Sequence, residues 1–329
     1  MSGPLVSVVI PTYNRAAEVC SAIDNALGQT YQNIEIIVVD DGSTDDTQAR
    51  LKSYGDRIRV VAKENGGPAV ARNRGAAIAR GEIIAFQDDD DLWEPTKLER
   101  QVALLQKFGP EVVCCLCNIA MPAAKGKKPT SFDDSLVHPQ HEEGIWTNVL
   151  EVLATRFILF TQAVAIRRDV FERVGGFRED IKYDEDYDLA LRLALEGPWA
   201  FIKEPLVTYT HGADNSFSQA AVKDPITLKE CEVKIVEHVL TRLHGSDQAA
   251  VRMYLNRRLK RFRRGMTQIK LSRNDFWGAR QLARLMKTLS HYQEAAFRRT
   301  PWYPKALTLP AESVASHPGS AKEFASVSN

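Results

Sequence analysis

The sequence predicts an α/β domain, its mostly parallel sheet flanked by helices and followed by a helical extension. Three observations carry this. Short β-branched runs alternate with helical patterns through the first 120 residues. Polar and turn-forming residues gather directly behind those runs. From residue 225 onward strand-like runs cease and apolar residues recur at helical spacing. Alternating strands and helices build a parallel sheet whose ligands bind at the carboxyl ends of its strands.

The strands read as LVSVVI (5–10), IEIIVVD (34–40), RIRVVA (57–62), EIIAFQ (82–87) and VVCCLCNIA (112–120). These runs are short and rich in β-branched residues, as strands buried on both faces should be. Helical stretches at 15–29, 44–54, 68–80 and 95–107 separate them, with Asn14 and Ser43 or Thr44 as candidate caps. Residues 121–143, rich in Lys, Pro, Asp and His, read as a long surface loop able to order over a substrate. A helix over 145–153, a strand over 160–167 and a helix over 168–174 follow, the last ended by Gly175 and Gly176. Next come a helix over 186–196 and strands over 199–203 and 206–210.

Val251, Leu255, Leu259, Phe262, Met266 and Ile269 then step by three or four residues, placing an apolar stripe on a basic helix. Leu282, Leu285, Met286, Leu289 and Tyr292 repeat the pattern. The α/β unit therefore runs over 1–220, in two halves that meet at about residue 120. An extension over 221–307 and a disordered tail over 308–329, rich in Ser, Ala and Pro, complete the chain.

Composition narrows the classes. With 329 residues, 44% hydrophobic and 26% charged, the chain is globular. The stretch nearest to a membrane span, 158–166, is too short to cross a bilayer and is flanked by Arg156, Arg167 and Arg168. The amino terminus enters a strand pattern directly, so a cytoplasmic protein without a signal peptide is expected. The five cysteines fit neither a disulfide framework nor paired zinc ligands, and Cys114, Cys115 and Cys117 belong in a buried strand. The net charge of +1 conceals fifteen Lys or Arg between residues 250 and 305, against Asp275 and Glu294. Packing of the stripe on the domain explains such helices, and so does peripheral contact with an anionic membrane. Nucleic-acid binding is not expected, because interleaved base-stacking aromatics are missing.

Four strand ends carry chemistry: PTYNR (11–15), DDGSTDDT (40–47), NGGPAVARNRG (65–75) and QDDDD (87–91). Tyr13 offers a ring to a base, Asp41 an acceptor to its N–H, and Arg72 a charge to phosphate. Four successive carboxylates behind a buried strand repel one another unless they are solvated or a cation sits among them. Mg²⁺ or Mn²⁺ takes oxygen ligands, commonly one or two carboxylates completed by substrate phosphates and water. Asp88, Asp89 and Asp90 can supply these, a nucleoside diphosphate can complete the site, and Asp91 can cap the helix starting near Pro95. Trp93 is expected to pack; Trp146 can pack or wall an acceptor site.

Taken together, VSVVIPTYNR, QTYQNIEIIVVDDGSTDDT, GGPAVARNRG, FQDDDDLWEPTKLERQ and GGFREDIKYDEDYDLALRL resemble family 2 glycosyltransferases of GT-A fold, over roughly residues 5–215. The resemblance implies inverting, metal-dependent transfer of a sugar from a nucleotide-diphosphate donor, UDP by analogy, to an acceptor hydroxyl. The acceptor would be a saccharide or lipid-linked group in surface polysaccharide or glycoconjugate assembly. By position it implies Pro11, Tyr13 and Asp41 around the base, Arg72 near the donor, Asp89 at the ribose and Asp90 on the metal. His211 falls where relatives place a histidine near the metal or diphosphate. The all-Asp run leaves the division of labour among Asp88, Asp89 and Asp90 open. YDEDYDLALRL (183–193) matches the family's catalytic-base motif and points to Asp186, whose place at a helix start favours the ionised form. Two rivals are weighed against this. A nucleotidyltransferase would carry a Gly-rich phosphate loop where PTYNR stands, and a non-catalytic scaffold would lack the base.

Overall fold

The computed structural model describes residues 3–121, 129–158, 160–210, 221, 223–245, 248–272 and 307–308. The first half alternates as expected: β1 (Val6–Thr12), α1 (Ala16–Leu27), β2 (Ile34–Asp40), α2 (Thr47–Lys52), β3 (Arg59–Ala62), α3 (Pro68–Ala77) and β4 (Ile83–Phe86). After a two-residue β5 (Leu92–Trp93) come α4 (Lys97–Phe108) and β6 (Cys114–Ala120). The second half holds α5 (Ser131–Asp134), β7 (Val137–His138), β8 (Glu143–Trp146), α6 (Val149–Thr155), β9 (Val164–Arg167), α7 (Arg168–Arg173), α8 (Glu185–Ala194) and β10 (Trp199–Thr208). Two long helices, α9 (Pro225–Arg242) and α10 (Ala249–Ser272), form the extension, and β11 (Leu307–Thr308) pairs with β7.

The main sheet runs β3-β2-β1-β4-β9-β6-β10, with β5 and β8 each pairing β10. Strands β1 to β4, β6 and β10 share one direction, whereas β9 inserts antiparallel between β4 and β6. The carboxyl ends of the shared-direction strands therefore open on one edge, where the polar loops gather.

Several boundaries differ from expectation, each for a local reason. The stretch 145–153 opens as a strand, because Ile145 and Trp146 pair antiparallel with Ala200 and Trp199 before α6 begins. Two expected strands are one: β10 continues through Pro205 with register shifts on either side of it. Asn14, Ser43 and Thr44 cap no helix. Instead Asn14 N donates to Ser43 Oγ at 2.8 Å and Thr44 N donates to Asn14 Oδ1 at 2.7 Å, tying two site loops together. Asp91 does not cap α4 either; its Oδ1 accepts from Thr210 N at 3.1 Å. Gly175 and Gly176 do end α7, at φ 83° and 64°, left-handed conformations that glycine adopts without a Cβ penalty.

One continuous core joins sheet and extension. Cys114, Cys115 and Cys117 are fully buried in β6, as expected, and burial raises their thiol pKa values. Trp93 and Trp146 are buried too, so Trp146 packs and does not wall an acceptor site. Ile235, Val236 and Val239 of α9, with Val251, Leu255, Leu259 and Phe262 of α10, belong to the same core. The first apolar stripe is thus spent on the domain and is not offered to a bilayer. Among the described residues no helix is long and apolar enough to cross a membrane. The second stripe (Leu282, Leu285, Met286, Leu289, Tyr292), His211 and residues 309–329 lie outside the described residues.

The amino end of the sheet carries a stabilising cluster remote from the site. Glu35 accepts from Ser7 Oγ at 2.7 Å, from Arg80 N and Nε, and from Arg59 Nη1. Burial alone would raise its pKa, but these donors prevail and hold it at about 2, below the usual 4.5. A carboxylate depressed on folding stabilises above its unfolded pKa and loses that stabilisation as pH falls through its folded one. Because Arg59 and Arg80 are solvent-screened, Glu35→Gln should cost about 1 kcal/mol at pH 7. Urea melts should show the variant and the parent converging as pH drops from about 4.5 toward 2.

Candidate active site

The first cradle forms behind β2 and β3. Asp41 is buried, and its Oδ1 accepts from Lys63 Nζ at 2.5 Å and Gly66 N at 3.0 Å, while Oδ2 accepts from Gly67 N at 2.8 Å. Gly67 reaches this position at φ 87°, a conformation that β-carbon-bearing residues adopt only under strain. The turn leading into α3 is thus folded onto Asp41, leaving Oδ2 with a spare lone pair. Pro11 pairs with Val39 one residue before the end of β1, and Tyr13, just past that end, is 46% exposed.

The carboxylates behind β4 are neutralised by two arginines. Arg15 Nη1 donates to Asp89 Oδ1 at 2.8 Å and to Asp90 Oδ2 at 2.6 Å. Asp89 also accepts from Thr12 Oγ1 at 2.7 Å. Burial pushes the Asp89 carboxyl up to about 6 against the pull of Arg15 and Thr12. Asp91 is pushed up to about 8 by burial and then by Asp88. Asp88 Oδ1 accepts from Arg72 Nη2 at 2.6 Å.

Arg72 is buried, and Nη1 donates to Glu185 Oε1 at 2.9 Å, so both ends of its fork are occupied by carboxylates. Its charge binds the loop behind β4 to the head of α8. Arg15, 27% exposed, is the cation beside the acidic loop that solvent still reaches.

At that helix head, Asp184 holds a left-handed conformation, φ 61°, in front of the first turn. Glu185, Asp186 and Asp188 follow it in that turn. Glu185 takes Arg72, and Asp188 takes Arg192 Nε at 2.7 Å. Asp186 stays half-buried, and its Oδ1 accepts from Tyr187 N at 2.7 Å. Burial first, then Glu185 and Asp184, push the Asp186 carboxyl up to about 8. Burial and the two neighbouring carboxylates thus oppose the preference of the helix terminus for the ionised form.

Sequence reasoning assigns nothing to Arg15, Lys63 or Glu185. Arg15 lies within PTYNR and Lys63 directly behind β3, so attention to strand ends could have found both. Glu185 is identified only by its pairing with Arg72, 113 residues away in the chain.

A hard divalent cation fits the acidic loop on the chemistry of its donors. Asp88 and Asp90 are each about a quarter exposed. One oxygen of each accepts from an arginine, leaving Asp88 Oδ2 and Asp90 Oδ1 without a hydrogen bond from any described residue. Among the described residues no three His, Cys, Asp or Glu side chains form a metal cage. The fit is thus to a cation shared with a diphosphate and water, not to a protein-only site.

Solved structures share this architecture. TarS 1-349 of S. aureus in complex with UDP-GlcNAc matches with a TM-score of 0.61 at 20% identity, covering 78% of this chain and 71% of that one. A mannosyltransferase from Pyrobaculum calidifontis in complex with GDP-Man and Mn²⁺ matches with a TM-score of 0.54 at 22% identity, covering 88% and 83%. The sheet, with its polar edge, is a GT-A fold.

The glycosyl transferase family 2 model matches residues 7–175, and the chain belongs to that family. An uncharacterized glycosyltransferase of Nostoc sp. is 30% identical over 290 residues, 84% of this chain and 87% of its own. Another, from Rickettsia typhi, is 38% identical over 189 residues, 56% of this chain. This chain spans 57% of that relative's length. Asp186, α9 and α10 all lie beyond the family-matched residues.

Proposed function

We propose that the protein is a metal-dependent, inverting glycosyltransferase. It moves a sugar from a UDP-sugar to a hydroxyl of a saccharide or lipid-linked acceptor in surface polysaccharide or glycoconjugate assembly. The observation that carries this reading is the Arg72 bridge, which brings the acidic loop behind β4 and the head of α8 into one site beside the Asp41 cradle. Nucleotide sugars bound to TarS and to the mannosyltransferase support the donor class.

The exposed Tyr13 ring stacks on the base over Pro11, and Asp41 Oδ2 accepts from a base N–H. Asp89, at the end of the Thr12–Arg15 network, stands at the ribose. Asp90, with Asp88 beside it, would hold the Mn²⁺ or Mg²⁺, which would supply charge stabilisation for the departing diphosphate. Arg15 adds a second positive group there. Asp186 accepts the proton of the acceptor hydroxyl while that oxygen attacks the anomeric carbon. The new C–O bond forms as the bond to the diphosphate oxygen breaks, and the nucleoside diphosphate leaves. A single displacement of this kind inverts the anomeric centre.

The enzyme works in the cytoplasm. With the α10 stripe buried, the basic outward face of that helix is solvated, and peripheral contact with an anionic inner membrane face would be made through headgroups, at about 1 kcal/mol per charge.

A panel of UDP-, GDP- and dTDP-sugars with Mn²⁺ or Mg²⁺, read as released nucleoside diphosphate, tests the reading. Metal-dependent release from one UDP-sugar, absent in Asp90→Ala, is the expected result. Release that needs no metal, or that survives Asp90→Ala, would remove the metal from the proposal. Failure to release or to bind any nucleoside diphosphate would overturn the enzyme.

A further inference from the structure

Helix α10 does more than close the core. Arg258 Nη1 donates to Tyr187 Oη at 2.5 Å, and its guanidinium lies 4.6 Å from the Tyr187 ring centroid and 5.3 Å from that of Phe262. Tyr187 is buried, and its Oη donates in turn to Leu153 O of α6 at 2.7 Å. Its backbone N donates to Asp186 Oδ1. A single residue of α8 is therefore gripped by α6 and α10 through its side chain while its backbone holds the Asp186 carboxylate.

Ordinary helix packing does not call for this arrangement. The outward face of α10 already carries Arg261 and Arg264 in solvent, whereas Arg258 turns inward. Drawing a guanidinium out of water is unfavourable unless hydrogen bonds and stacking replace its hydration, and a Met or Leu would fill the space without that cost. What the planar fork adds over an apolar side chain is orientation, since it stacks on the ring and hydrogen-bonds the phenol together.

We propose that Arg258 is a positioning residue for the transfer reaction. From α10 it fixes Tyr187, hence the first turn of α8 and the Asp186 carboxylate. The C-terminal helices, beyond the family-matched residues, are thereby part of the catalytic unit. This inference rests on the reading of Asp186 as the base.

The test uses the full chain with Arg258→Met, Arg258→Lys and the outward control Arg261→Met, each alone and the first also combined with Asp186→Asn. Turnover of the active UDP-sugar, calorimetric binding of UDP, and amide exchange over residues 185–190 are measured. Misplacing a catalytic group by about 1 Å can cost about 100-fold, so Arg258→Met should lower kcat by about 10–100-fold. UDP affinity and donor KM should hold, and exchange at the head of α8 should rise. Arg258→Lys should recover part of the loss, and Arg261→Met should behave as the parent. In the Asp186→Asn background Arg258→Met should lower kcat no further, as expected of residues acting as a unit. Unchanged kcat and exchange, loss of UDP affinity in step with kcat, or an equal further loss on Asp186→Asn would each overturn the proposal. Full activity of Asp186→Asn alone would instead bring down the base assignment itself.

Discussion

Asp186→Asn should lower kcat by about 10²–10⁴-fold, the range that a positioned general base supplies, with UDP binding unchanged. The amide is nearly isosteric and can still accept from Tyr187 N, so the α8 turn survives while proton acceptance is lost. Steady-state transfer beside UDP calorimetry checks it, and near-normal transfer would sink the assignment. The pH profile supplies an independent reading. With its carboxyl pushed up to about 8, Asp186 is largely protonated at pH 7 in the free protein. The base works only when ionised. Log kcat/KM should therefore rise with unit slope up to about pH 8 and level off above it. A carboxylate of ordinary pKa would give a flat profile from pH 5 upward. The elevated pKa also makes Asp186 a stronger base than an exposed aspartate, so the same burial that costs ionised fraction improves proton acceptance.

Arg72→Met should be the most destabilising substitution in the site. It would leave Asp88 and Glu185 facing one another without the cation that both now bond, one partner removed from a buried ionic cluster. Such losses run at about 3–5 kcal/mol. Arg72→Lys keeps the charge but not the fork, so it can serve only one carboxylate well and should fall between parent and Met variant. Activity should fall with stability in both, because Arg72 spans the loop behind β4 and the base helix. Denaturant unfolding at neutral pH measures this directly. A Met variant within about 1 kcal/mol of the parent would mean that the bridge contributes orientation and little stability.

The strand cores were readable from the sequence because each is a short β-branched run closed off by polar residues. The clearest misreadings come where two packings share one apolar pattern. Ile145 and Trp146 suit the start of a helix as well as an edge strand, and pairing with β10 decides for the strand. Asn14, Ser43 and Thr44 have the chemistry of caps, yet their donors and acceptors find each other across two loops.

Within the site, residue types at strand ends marked Asp41, Asp88, Asp89 and Asp90 as candidates without any contact being known, since strand polarity alone assigns them to one edge; Asp186, at the head of a helix, was marked by the resemblance of YDEDYDLALRL to the family's motif. The partners of those carboxylates were not legible. That Asp88 and Glu185 share the Arg72 fork, and that Arg258 meets Tyr187, shows only in the folded chain. Local pattern records which side chains are available and where along an element they stand. The Arg15–Asp89, Arg72–Glu185 and Arg258–Tyr187 pairings each join groups more than 70 residues apart, and the rise in the Asp186 pKa begins with a burial that local pattern does not reach. Those properties were decided only when the chain closed on itself.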